Sequence, residues 1–79
     1  MLPITSAKTL GSTLRKYRKD LGLTQIEAGK KFNLPQKTVS RIESGMSTNL
    51  DTLFKYMSAL GLEMHLEPRV KSKSKKGLW

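Results

Sequence analysis

Residues 24–45, TQIEAGKKFNLPQKTVSRIESG, constrain this chain more than any other stretch. They predict two short helices joined by a tight turn. Thr24 followed three residues later by Glu27 is the reciprocal capping pair that satisfies two otherwise orphaned amides at a helix start. Ala28, Gly29 and Phe32 give the first helix a small, close-packing face. Asn33 tolerates the left-handed conformation that ends a helix, and Pro35 suits the opening turn of the next. In the second helix Val39 and Ile42 share the inward side. Gln36, Lys37, Thr38, Ser40 and Arg41 fall on the outer side, and almost all of them donate hydrogen bonds. A short helix that carries donors and positive charge on a rigid elbow matches the dimensions and chemistry of the DNA major groove.

The rest of the chain is consistent with that partner. Fifteen Lys and Arg stand against six Asp and Glu, a formal charge of +9 on 79 residues, which favours a polyanion. Cysteine is absent and histidine occurs once, so no disulfide framework, thiol nucleophile or multi-histidine metal cluster is expected. No cofactor is expected either. The residues offer no nucleophile–base pair and no phosphate-cradling glycine loop, so an enzyme is not expected. No apolar run approaches the ~20 residues of a membrane helix and no signal-peptide pattern opens the chain, which together predict a cytoplasmic, nucleoid-associated protein.

Before the central pair, Ser6 is a suitable cap for a helix reaching about Asp20. Leu10, Leu14, Tyr17 and Leu21 would form its apolar face, with Arg15, Lys16, Arg18 and Lys19 opposite, either solvated or on phosphates. After Gly45 a short loop places Ser47 and Thr48. Asn49 then caps a helix spanning about 50–60, with Leu50, Leu53, Phe54, Met57 and Leu60 as its buried stripe and Asp51 near its positive end. At residues 62–67 the period changes to two: Leu62, Met64 and Leu66 alternate with Glu63, His65 and Glu67 until Pro68 stops the run. A lone strand cannot complete its own ladder. The same strand from a second copy would complete it, so a homodimer is expected. Residues 69–79, RVKSKSKKGLW, carry five cations and no acid, the composition of a flexible basic tail ending in the apolar pair Leu78 and Trp79. The division expected is a DNA-binding domain over 1–68 and a tail over 69–79.

Thr24-Gln25, the opening Gln36 and the closing Ser-x-x-Glu-x-Gly at 40–45 resemble the Cro/phage-repressor (XRE) helix-turn-helix family over about residues 10–62. That resemblance implies a mostly α, lambda-repressor-like domain of four helices, here with one C-terminal β-strand pairing across the homodimer. It implies base reading by Gln36, Lys37 and Thr38, with Gln25, Ser40, Arg41, Ser47 and Thr48 on phosphates of an inverted-repeat operator duplex. The later order of fourth helix, alternating strand LGLEMHLEP and tail ending in Trp resembles HipB-type antitoxins. This second likeness implies an autorepressor that also binds a HipA-like Ser/Thr kinase toxin, with Leu62, Met64 and Leu66 in the dimer and Leu78 and Trp79 on the toxin. The alternative left open is a stand-alone phage-type repressor or restriction-controller regulator without a toxin partner.

Overall fold

The computed structural model describes residues 3–69. Four helices follow in order: α1 (Ala7–Asp20), α2 (Gln25–Lys30), α3 (Gln36–Glu43) and α4 (Leu50–Ala59). Three of them start on the side-chain caps expected. Ser6 accepts from the Thr9 amide and Asn49 from the Thr52 amide. Thr24 and Glu27 form the full reciprocal box, each side chain bonding the other's backbone. Asn33 is left-handed at φ 56°, as expected of the residue that turns the chain between α2 and α3. Pro35 stands one position earlier than expected: it is the N-cap of α3, with extended backbone, and the helix begins at Gln36.

The core is one cluster drawn from all four helices: Leu14, Ala28, Val39, Ile42, Leu53, Tyr56, Met57 and Leu60. α3 lies at its centre, packed on both α1 and α2, while α2 also meets α4. Two glycines make these approaches possible. A Cβ on Gly11 would lie 2.5 Å from the Ile42 carbonyl oxygen, and one on Gly29 would collide with the Leu34 carbonyl. The helix propensity lost at Gly29 therefore secures the tight turn into α3.

Several apolar residues expected inside are not there. Tyr17 (40%), Leu21 (54%), Phe32 (40%), Leu50 (67%) and Phe54 (45%) remain substantially exposed. Leu21 and Phe32 lie just past the helix ends, and α4 turns Leu53, Tyr56, Met57 and Leu60 inward, leaving Leu50 and Phe54 on its flank. Tyr56, absent from the expected stripe, is fully buried instead.

Residues 62–68 carry no regular secondary structure, and there is no strand among the described residues. Leu62 packs on the core, whereas Met64 and Leu66 are exposed. The physical reason is the one anticipated: a ladder needs a second strand, and none of the described residues forms one alongside. Leu78 and Trp79 lie outside the described residues.

Candidate nucleic-acid interface

α3 presents its two sides very differently. Val39, Ile42 and Glu43 are buried, while Gln36, Lys37 and Arg41 are exposed and Thr38 and Ser40 are half-buried. At 100° per residue, Lys37, Ser40, Arg41 and Ser44 share the outermost stripe, at positions i, i+3, i+4 and i+7. Ser44 is an exposed member of that stripe that the sequence pattern does not single out. Thr38 stands toward the flank, closer to the core than expected. Ser47 and Thr48 are exposed in the loop between α3 and α4.

Gln36, at the first position of α3, donates from Nε2 to Gln25 Oε1 at 3.3 Å. Gln25, at the first position of α2, in turn donates from its own Nε2 to Glu43 Oε1 at 3.1 Å. This second bond orients the Gln25 amide, because only its NH2 end can address a carboxylate. The Gln25 carbonyl is thereby turned toward Gln36. One amide hydrogen of Gln36 is held by the protein, and its carbonyl and other hydrogen remain for a ligand.

The anchor of this relay is a charged group inside the core. Arg18 grips Glu43 with two parallel bonds, Nε to Oε2 at 2.7 Å and Nη2 to Oε1 at 2.9 Å, and gives Nη1 to the Leu23 carbonyl at 2.8 Å. The Tyr56 hydroxyl donates to Glu43 Oε2. The carboxylate thus receives four hydrogen bonds, two on each oxygen, and joins α1, α2, α3 and α4. Burial alone would raise the Glu43 carboxyl, but the bonds from Arg18, Tyr56 and Gln25 outweigh it and hold it below the usual carboxylate range. The Arg18 guanidinium is raised by its hydrogen bond to Glu43, despite burial pulling the other way. Burial and the neighbouring carboxylate push the Tyr56 phenol up, so it stays protonated as a donor.

Arg18 corrects the sequence reading. Charge alone groups it with the solvent-facing cations of α1, yet it is only 7% exposed and fully engaged. The spacing does carry a signal, since Arg18 follows buried Leu14 by four residues and Glu43 follows buried Val39 by four. Arg15, Lys16 and Lys19 do face outward. Among the described residues no group of three His, Cys, Asp or Glu is placed to hold a metal ion.

Residues 14–66 match the helix-turn-helix family. The chain is 36% identical over 64 residues to antitoxin HipB of Escherichia coli strain K12, covering 80% of this chain and 73% of that protein. It is equally identical to antitoxin HipB of Escherichia coli O6:H1 strain CFT073, covering 68% of that protein. The chain belongs to the HipB family of helix-turn-helix proteins. Its fold superposes with a TM-score of 0.83 and 32% identity on HipB in a HipB–O4 20mer complex, covering 89% of this chain and 100% of that one. The same score, identity and coverage hold for a chain of a HipA–HipB–O2–O3 complex. Family membership, the four-helix architecture and the DNA-binding helix-turn-helix therefore agree with the expectations set out above.

Proposed function

We propose that this HipB-family protein is the antitoxin of a HipBA-like toxin–antitoxin system, acting as a dimeric operator-binding autorepressor that also binds a HipA-like kinase. The observation that carries the DNA-reading part is the Glu43–Gln25–Gln36 relay. It fixes a glutamine amide at the exposed N-terminus of α3 with its carbonyl and one N–H free, the pair that adenine accepts side by side in the major groove. Lys37 lies on the outermost stripe within reach of guanine or phosphate, and Thr38 touches a base edge or thymine methyl from the flank. Ser40, Arg41, Ser47 and Thr48, together with Gln25, meet phosphates and set the orientation without reading sequence.

Dimerisation supplies the second half-site. Met64 and Leu66 are exposed on an alternating run that has no ladder partner among the described residues. A second copy pairing there would hold two α3 helices for successive major grooves, about 34–36 Å apart. The toxin-facing role rests on family membership and on the resemblance of the Trp-ended tail, with Leu78 and Trp79 as its contacts. Co-purification with the product of a neighbouring kinase-like reading frame tests it. Deleting Leu78 and Trp79 should weaken that association and leave operator affinity nearly unchanged. Failure to co-purify any kinase would instead favour a stand-alone repressor.

A further inference from the structure

We propose that two copies of this chain pair antiparallel over residues 62–67 with the twofold axis at Met64, so that Glu63 of each copy faces His65 of the other. This rests on the reading of that segment as a strand shared by two copies, and it fixes the register, which that reading leaves open.

Backbone chemistry decides which residues bond across the axis. The Leu62 amide is already given to the Met57 carbonyl at 2.8 Å, capping the end of α4, and Pro68 has no amide hydrogen. Both are even-numbered. The ladder bonds therefore fall to the odd set, Glu63, His65 and Glu67, whose amides make no backbone hydrogen bond among the described residues. Met64 then becomes a non-hydrogen-bonded position, where facing strands approach most closely.

Side chains decide the axis. With the axis at Met64, Leu62 faces Leu66 and Met64 faces its own copy on one side of the ribbon. On the other side two Glu63–His65 pairs form. Within one chain His65 Nε2 already lies 2.7 Å from Glu63 Oε2, so pairing extends this into a square in which every carboxylate borders two imidazoles. Moving the axis to residue 63 sets Glu63 against Glu63. Moving it to residue 65 sets His65 against His65 and Glu63 against Glu67. An axis between residues puts an apolar side chain opposite a charged one. A parallel arrangement sets each residue against itself. An axis at residue 66 pairs His65 with Glu67 but sets Met64 against Pro68 and leaves Leu62 without a partner in the run. Like charges directly opposite destabilise a sheet, so the axis at Met64 is the register that pairs Leu62, Met64 and Leu66 among themselves and opposes no like charges. Glu63 and His65 are largely exposed, and a pair of that kind adds little affinity; its effect is to choose among registers that the apolar face alone would tolerate.

The chain has no cysteine, which allows a clean test with single-cysteine variants of the full-length protein. Under mild oxidation Met64→Cys should cross-link through a disulfide within the dimer much faster than Glu63→Cys or His65→Cys. Fastest cross-linking at 63 or 65 overturns the register while leaving dimerisation standing. A wild-type protein that sediments as a monomer at micromolar concentration removes the shared strand itself. As a second measurement, His65→Glu should loosen the dimer about tenfold and the swap Glu63→His with His65→Glu should restore it. A swap no tighter than His65→Glu alone contradicts the pairing.

Discussion

Three of the four helices close their own N-termini with a side chain from the preceding residue, and all four contribute to one core. By contrast, the run from Glu63 to Glu67 has neither ladder nor core, with Leu66 88% exposed. One region is finished within a single chain, and the other, on the function proposed above, is finished by a second. If the second copy binds there, the difference teaches that reading a half-site and spacing two half-sites belong to separate parts of the molecule, which substitutions should separate.

The largest effect is expected in the self-contained region. Glu43→Ala leaves the Arg18 guanidinium buried without its carboxylate, a loss of roughly 3–5 kcal/mol. That is a large fraction of the stability of a small domain, so urea and thermal midpoints should fall steeply. The same group should contribute acid sensitivity, alongside the Glu27 carboxyl, which its bonds to Thr24 also hold low. Because the Glu43 carboxyl is held below its ordinary value in the fold, its contribution is complete above about pH 4.3 and is lost as pH falls further, through the lower folded value. Thermal midpoints should be nearly flat from neutral pH down to that point and then drop.

Local features of this body were legible from sequence because they depend on neighbours within four residues: the Thr24–Glu27 box, the Ser6 and Asn49 caps, and the left-handed Asn33. The outward setting of Gln36, Lys37 and Arg41 followed from helical period alone. The Arg18–Glu43 pair was not legible, since its members are 25 residues apart and only packing of α1 on α3 brings them together. Tyr56 was missed for the same reason, its hydroxyl being acceptable inside only because Glu43 receives it. Leu50 and Phe54 illustrate the opposite failure, for hydrophobicity marks a side chain as one to bury without saying whether the packing of α4 turns it inward.

In the unfinished region the expected loss is of assembly and not of fold. Met64→Lys with Leu66→Lys should leave the helical circular-dichroism signal and its melting midpoint unchanged while abolishing the dimer in sedimentation. Operator affinity should fall at least ~100-fold, since each half-site is then bound without its tethered neighbour. A drop in both together would merge the two regions that the comparison keeps apart.

Smaller effects sharpen the reading surface. Gln36→Ala should lower discrimination at one base pair of each half-site by about 1–3 kcal/mol, with little change on random duplex. Gln25→Ala should move the same base pair in the same direction, because it removes the support of Gln36, and it should also weaken binding to all sequences through a lost phosphate contact. Arg41→Ala should weaken every sequence alike and flatten the salt dependence, as measured by fluorescence anisotropy titrations at several salt concentrations. Smallest of all, Thr24→Ala should cost about 1 kcal/mol of stability by opening the capping box, read as a modest shift in urea midpoint.

Selection of binding sites from a pool of random duplexes, at near-physiological salt with the full-length protein, puts the most direct question to the molecule. The enriched sequences should be inverted repeats whose half-site centres lie about 10–10.5 base pairs apart, bound by two chains, with the Gln36→Ala protein losing its preference at one position in each half. Recovery of unrelated sequences, or of a single asymmetric site occupied by one chain, would contradict it.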